Sequence, residues 1–368
     1  MNKNLIALAV AGAFVAPAAL AQTANPVTLY GQVNVTVESV EARGGPSTAS
    51  PVSRRTRIED QSSRLGVRGT EDLGGGLKAF FQLETAFRPD SNNTTFAARN
   101  SAVGLQGGFG SVLIGRWDMP FKSAAIAIDP WGDILIAGLT GVMSDGGNFD
   151  RRDMNVAEYW SPTFGGFAFR LARTANERKN DPAGVNAFDQ GANATFTRGP
   201  VYLFYAYEEH RDNNNGNAFG QVVGTQTNGI AGYKERGHAG GGSFVIGPIK
   251  LGAQYQEFRK SGSTAAVSRS KQKAVMGNAV WTLGNNQFIY QYMQSKDGRA
   301  NNVVTEEPDC KSHSIGYKYN FSRRTSFISH YVDVKNNTTA SCNFGSNRLA
   351  AAAGQDPRGF AVGFLHVF

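Results

Sequence analysis

Three arginines, Arg64, Arg99 and Arg152, are the residues of this sequence best suited to act together on a solute. Arg64 and Arg68 lie on the polar face of the second predicted strand, Arg99 opens the fourth strand, and Arg152 opens the sixth. Guanidinium groups that converge on one space raise the local concentration of anions there. For each arginine taken alone, a solvated or ion-paired position on the wall of the protein remains an alternative interpretation.

Carboxylates of the longest predicted loop could supply the opposite charge. Residues 118–151 contain Asp118, Asp129 and Asp133 and are unusually apolar for a connection. A loop of this composition is expected to fold back against the walls of the protein, although packing between subunits is an alternative. Carboxylates that face the arginines would set up a transverse electric field.

The elements that must position these residues are predicted to be strands. Several segments alternate with a period of two, which indicates half-buried strands and not helices. In the last nine residues, Phe360, Phe364 and Phe368 share one face, and mostly small residues occupy the other. A tilted strand of about ten residues crosses a bilayer if both of its edges are paired. The last strand of a soluble sandwich is the alternative for this nonapeptide.

The connections alternate between seven short turns and eight longer polar loops, which predicts about 16 strands. The first of these loops is placed at residues 41–62. The assignment of residues 287–294 and 325–334 to an inner and an outer face is ambiguous. A barrel of about 16 strands leaves an aqueous channel, and its selectivity depends on the narrowest point.

The two ends and the composition also point to a barrel. Residues 1–21 have the charged start, apolar core and small-residue cleavage site of a signal peptide, so residues 22–368 are expected to form one exported domain. With 44 glycines and 24 phenylalanines, only 41% of the residues are hydrophobic, as expected when lipid-facing and lumen-facing residues alternate. The net charge of +8 suits anionic membranes or solutes. Export argues against nucleic acid as a partner.

Cysteines and histidines give little support to catalysis or metal binding. Cys310 and Cys342 suit an oxidising compartment and could form one disulfide. No histidine lies in a recognisable nucleophile motif, so we expect no catalytic residue, metal or cofactor. Hydrolysis of lipid or peptide that a His330→Ala change abolishes would instead indicate a membrane-bound enzyme.

The sequence therefore predicts an all-β fold, a transmembrane antiparallel β-barrel of about 16 strands with a constriction loop folded into the pore. A substrate-specific channel would need a run of aromatic residues along the lumen, and only Tyr30 and Phe80 can be assigned to that face. A role of the long loops in adhesion could coexist with a pore.

Residues 63–74, 76–84, 103–110 and 114–116 resemble the Gram-negative general porin family, particularly its beta-proteobacterial type. Residues 152–155 and 366–368 fit the same pattern, and the resemblance covers essentially the whole mature chain. It implies an outer-membrane homotrimer of 16-stranded barrels that passes small hydrophilic solutes passively, often with a preference for anions. It also implies contact with outer-membrane lipid and lipopolysaccharide.

The resemblance assigns the constriction arginines to Arg64, Arg99 and Arg152. Many general porins have Pro-Glu-Phe-Gly in the constriction loop, where this chain has Asp129-Pro-Trp-Gly-Asp133 without the glutamate. This departure leaves the acidic side of the constriction to Asp118, Asp129 and Asp133 as weaker candidates. Phe368 resembles the family's assembly signal, which the barrel-assembly machinery reads.

Overall fold

The computed structural model describes residues 27–45, 50–91, 95–132, 135–144, 148–177, 179–212, 230–262, 270–298 and 309–368. The predicted signal peptide and Asp133 lie outside these residues. The strand segments are β1 (Thr28–Gly44), β2 (Val52–Asp60), β3 (Arg64–Gly74), β4 (Leu77–Ala86), β5 (Ser101–Gly107), β6 (Gly110–Asp118), β7 (Arg152–Trp160), β8 (Phe167–Thr174), β9 (Phe188–Arg198), β10 (Val201–Arg211), β11 (Lys234–Ile246), β12 (Ile249–Ser261), β13 (Ser270–Leu283), β14 (Asn286–Gly298), β15 (Asp309–Asn320), β16 (Thr325–Asn336) and β17 (Gln355–Val367).

These seventeen segments close into one antiparallel barrel, in which β17 pairs with β1. Both β2 and β3 pair with β1, so they form one strand that is interrupted at residues 61–63. The barrel therefore has sixteen strands, which confirms the predicted number. The predicted loop at 41–62 is wrong, because β1 continues to Gly44 and β2 begins at Val52. Strand ends that rise above a membrane are wet on both faces and lose the apolar alternation.

The outer surface is apolar and the inner surface is polar, the reverse of a soluble protein. Leu29, Ile114 and Phe364 are each more than half exposed, whereas Asn34 and Gln291 are fully buried in the interior. This inversion is what a barrel wall in lipid requires. Within the described residues, no helix is both long enough and apolar enough to cross a membrane.

The last strand closes the barrel as its alternating pattern predicted. Phe360 and Phe364 point outward, while Gly363 faces the interior, where an added Cβ would lie 2.1 Å from the carbonyl oxygen of Val35. The backbone N–H of Phe368 donates to the carbonyl of Gly31, and that of Gly31 donates to the carbonyl of Phe368, each at 3.1 Å. Small inward residues thus let the first and last strands meet closely.

The long connection between β6 and β7 folds into the barrel interior, as its apolar composition predicted. It begins with helix α1 (Pro120–Ala125), which Pro120 starts at its first turn. Phe121, Ile128 and Leu139 of this connection are fully buried in one cluster that includes residues of the wall. We call residues 119–151 the constriction loop.

The same packing resolves the two ambiguous segments. Ile289 and Met293 on β14, and Ile328 and Val332 on β16, face inward and are buried. They belong to the two clusters that the constriction loop completes, Met293 to one and the other three to the second. A wall that a loop covers is dry, so its inner face becomes apolar and the simple alternation is lost.

Candidate functional site

A basic surface lines the interior at β3 to β7. The Nε atom of Arg99 lies 2.6 Å from Oε1 of Glu84, and the Nε atom of Arg64 lies 3.8 Å from Oε2 of the same carboxylate. The hydroxyl of Tyr30 donates to Oε2 of Glu84 at 3.1 Å. Two guanidinium groups therefore share one carboxylate, which leaves positive charge in excess.

Arg152 extends this surface toward the constriction loop. Its Nη2 atom lies 2.9 Å from Oδ1 of Asp118, and its Nε donates to the side-chain oxygen of Asn100 at 2.5 Å. The amide of Asn100 in turn donates to Oδ2 of Asp118 at 2.9 Å. The three arginines that the sequence singled out thus lie on one wall and interact electrostatically.

Arg116 joins the same group and was not identified from the sequence. Simple alternation along β6 points it away from the lumen, but the strand register shifts between Gly115 and Trp117. Gly115 has φ of 150°, which permits the bulge. As a result Arg116 lies near Arg152 and Arg99. A bulge of this kind has no reliable signal in a single sequence beyond the glycine.

Neither Asp118 nor Asp129 faces the arginines across the opening. Asp118 shares the arginine wall. Asp129 is buried in the constriction loop, where its Oδ1 accepts from the N–H of Trp131 and from Nε2 of Gln291, and its Oδ2 accepts from the N–H of Leu139, each at 3.0 Å. Asp129 therefore stabilises the fold of the loop and does not line the opening. Asp133 lies outside the described residues.

The constriction loop is fixed to the wall opposite the arginines. Trp131 donates from Nε1 to the hydroxyl of Ser314 at 3.0 Å and packs on His330, with ring centroids 5.1 Å apart. Its ring lies directly over Gly316, where an added Cβ would be 2.2 Å from it. The side chain of Asn278 donates to the carbonyl of Ile128 at 2.9 Å. The loop consequently lies along the inner face of the wall from β8, where helix α1 packs, to β17, where Ile136 approaches Gly359.

A buried ionic cluster holds the end of the constriction loop. Arg151 lies 2.9 Å from both Asp153 and Asp189. Burial alone would lower the pKa of the Arg151 guanidinium, but the two carboxylates raise it above its ordinary value, so the charge is kept. Phe149 stacks on His210 with centroids 4.6 Å apart. This cluster was not foreseen, because its members come from four separate segments.

The last loop, residues 337–354, is hydrogen-bonded to the constriction loop, and we call it the latch. The N–H of Asn343 donates to the carbonyl of Gly141 at 3.1 Å, and the N–H of Gly345 donates to that of Ile136 at 3.0 Å. Ser346 donates to the side chain of Gln61 at 2.8 Å, at the break between β2 and β3. The latch therefore ties the constriction loop to the first strands of the barrel.

A disulfide fastens the latch to the wall. Cys310 at the start of β15 and Cys342 in the last loop are bonded, with Cα atoms 6.2 Å apart. Cys310 is buried in the cluster that the constriction loop completes, and Cys342 packs against it. The bond thus acts on the latch and, through the latch, on the constriction loop.

Replacing both cysteines by serine is expected to loosen the latch. The bond closes a separation of 32 residues, and a loop of this size is worth about 3–4 kcal/mol of stability. We expect a lower unfolding temperature and noisier single-channel currents. The Cys310→Ser/Cys342→Ser variant should not respond to a reductant that destabilises the wild-type protein. Equal unfolding temperatures of the oxidised and reduced wild-type protein would contradict the prediction.

The histidines described here are held by contacts with neighbouring side chains. His210 is fully buried between Glu208 and Glu235, at 2.8 and 3.0 Å. His330 is buried beneath Trp131, and His238 and His313 lie on the outer face, each hydrogen-bonded to a tyrosine. These contacts position the loop and the wall.

Aromatic side chains of the lumen are more numerous than the sequence indicated. Trp160 pairs in register with Ser111, and Tyr202 with Ser243, on inner faces of the wall. Both were missed, because the register of β7 shifts between Asp153 and Val156 and β10 is apolar on both faces. The sequence analysis, which assigned only Tyr30 and Phe80 to the lumen, therefore counted too few aromatic residues there.

The sequence profile of the Gram-negative porin family matches residues 7–339. The major outer membrane protein P.IB of Neisseria gonorrhoeae is 29% identical over 336 residues, 89% of this chain and 92% of that protein. The structure of the anion-selective porin from Comamonas acidovorans has a TM-score of 0.76 and 24% identity, covering 94% of this chain and 100% of that one. The trimer form of OmpT from Vibrio cholerae has a TM-score of 0.67 and 16% identity, covering 94% and 100%.

Proposed function

This chain belongs to the Gram-negative porin family and forms a passive outer-membrane channel; on that premise we propose that it passes anions in preference to cations. Its role is that of a channel and not of an enzyme, as the sequence predicted. Small hydrophilic solutes and inorganic anions are its proposed cargo. The basic surface of the lumen is the observation that carries the proposal.

The charge balance of that surface favours anions. The surface contains four arginines and two carboxylates, which leaves an excess of two positive charges. The arginines are Arg64, Arg99, Arg116 and Arg152, and the carboxylates are those of Glu84 and Asp118. Screening in physiological salt extends over about 8 Å, so charges lining a narrow opening act on every ion that passes. The solved structure with the higher TM-score given above is described as anion-selective, which agrees with this assignment.

Arg64, Arg99 and Arg152 are the proposed constriction residues, with Arg116 beside them. Their partners hold each guanidinium against the wall and leave its other N–H groups for the solute. Within its described residues, the constriction loop supplies the opposite side through its packing, and Asp129 is turned into the loop. Selectivity should then depend on one charged wall.

The reversal potential of the purified protein in a planar bilayer tests the proposal. With a tenfold KCl gradient, a fully selective pore would give about 59 mV. We expect a value with the sign of chloride preference and below that limit. A cation-selective reversal potential would refute the assignment.

A homotrimer is the proposed assembly. Strand β5 has seven residues, fewer than the 9–11 that a membrane-spanning strand needs. Strand β12, by contrast, has 13 residues and is long enough to span the membrane. The short part of the wall at β5 is better covered by a neighbouring subunit than by lipid. A mass equal to one chain for the native protein in mild detergent would contradict this proposal.

Outer-membrane lipid and lipopolysaccharide are further proposed partners. On the outer face, Arg43, Arg54 and Arg358 lie within 2.9 Å of Glu41. Three cations around one carboxylate leave charge for a phosphorylated headgroup, above the exposed ring of Phe360. Native mass spectrometry that finds no glycolipid on the wild-type protein would count against it.

Export and assembly complete the proposal. Residues 1–21 would be removed, so that N-terminal sequencing of the mature protein begins at Gln22. Phe368 would be read by the barrel-assembly machinery, and its deletion should reduce the amount of folded protein in the membrane. Unchanged amounts of folded protein would exclude this role.

A further inference from the structure

A cavity of about 390 Å³ lies between helix α1 and the short-turn ends of β6–β10. It is separate from the arginine surface and contains both aromatic and polar side chains. Its lining includes Ser111, Ser123, Trp160, Arg170, Asn193 and Tyr202. A cavity of this size accommodates a small organic molecule.

Trp160 forms a fixed wall of this cavity. Its Nε1 donates to Oε1 of Glu158 at 2.7 Å, and its ring packs on Trp117 with centroids 5.5 Å apart. Asn193 holds helix α1 over the cavity, because its amide donates to the carbonyl of Pro120 at 2.7 Å and to the hydroxyl of Ser123 at 3.1 Å. The site is therefore formed before any solute arrives.

Arg170 supplies a cation to the cavity. Its guanidinium carbon lies 4.5 Å from the centre of the Trp160 ring. Among the residues that the structure describes, Arg170 forms no ion pair with a carboxylate. Glu158 is almost fully buried and does not line the cavity. The guanidinium thus lies over the indole of Trp160, and its N–H groups remain able to bind a carboxylate through two hydrogen bonds.

We propose that this cavity binds organic monocarboxylates that carry a flat apolar group. The carboxylate is held by Arg170, and the flat group lies against the rings of Trp160 and Tyr202. Inorganic anions lack the apolar group and pass without being retained. The inference depends on the proposed channel only for access to the site, because binding itself is measured without ion flow.

Benzoate binding to the purified protein in detergent, measured by isothermal titration calorimetry, tests the proposal. We expect saturable binding that Arg170→Met weakens about tenfold or more, equivalent to about 1.4 kcal/mol, because the variant loses the charged hydrogen-bond donor of the site. Arg198→Met is the matched control, since Arg198 lies exposed at the end of β9, outside the cavity. Acetate, which lacks the ring, should bind at least tenfold more weakly than benzoate.

Several results would overturn the proposal. These are absence of saturable benzoate binding, equal binding by Arg170→Met, or equal affinities for acetate and benzoate. If Arg170→Met does not fold, Tyr202→Leu replaces it and should weaken benzoate more than acetate; an unchanged benzoate affinity again refutes the site. The chloride reversal potential of these variants should stay close to the wild-type value, so a failure of this site is distinguishable from a failure of anion selectivity.

Discussion

Replacing Arg64, Arg99 and Arg152 together by glutamine is expected to convert the channel from anion preference to cation preference. The four arginines and two carboxylates of the wall carry an excess of two positive charges, and the variant leaves one arginine against two carboxylates. Glutamine keeps much of the length and hydrogen bonding of the side chain, so the change is mainly one of charge. The reversal potential in a tenfold KCl gradient should change sign, within the limit of about 59 mV.

A control variant of equal charge separates this local effect from net charge. Arg198, Arg323 and Arg324 are exposed at the short turns, and their replacement by glutamine also removes three positive charges. We expect its reversal potential to keep the wild-type sign. If both triple variants shifted equally, selectivity would come from the overall charge of the protein and not from the wall described above.

Adding a methyl group at Gly316 is expected to release the constriction loop and raise the single-channel conductance. The new Cβ would lie 2.2 Å from the ring of Trp131, so the ring must leave its place beside His330 and Ser314. Overpacking of this kind costs about 1–3 kcal/mol, and each 1.4 kcal/mol multiplies the released population by about ten. Single-channel recording should show a larger or a second, higher conductance level.

Gly277 provides the matched control for this experiment. It is also a glycine within a strand, but an added Cβ there would have no neighbour within 4 Å. Gly277→Ala should therefore conduct like the wild-type protein. Because Gly316→Ala also brings the Cβ within 2.7 Å of the carbonyl oxygen of Ser329, Trp131→Ala serves as a second variant without that backbone contact. Wild-type conductance in both would show that Trp131 does not hold the loop.

The limits of sequence-based prediction follow from which residues lie in which environment. Alternation identified the strands where one face meets lipid and the other meets water, as in β1, β4, β12 and β17. It failed for β2, which is wet on both faces, and for β14 and β16, which the constriction loop covers. Alternation assumes lipid on one face and water on the other. In β2 water replaces the lipid, and in β14 and β16 the constriction loop replaces the water.

The sequence by itself determined the barrel and its sixteen strands, because the boundary between lipid and water marks every second residue. It proposed Arg64, Arg99 and Arg152 as constriction residues from strand alternation together with the family resemblance. Only the tertiary structure decided which charged side chains pair with one another and which loops pack together. It placed Asp118 beside Arg152 and Asp129 inside the loop, brought Arg116 to the group through a bulge, and packed Gly141 of the constriction loop against Gly345 of the last loop. Such contacts join residues that are distant in the chain and depend on distances of a few ångströms, and no local pattern records those distances.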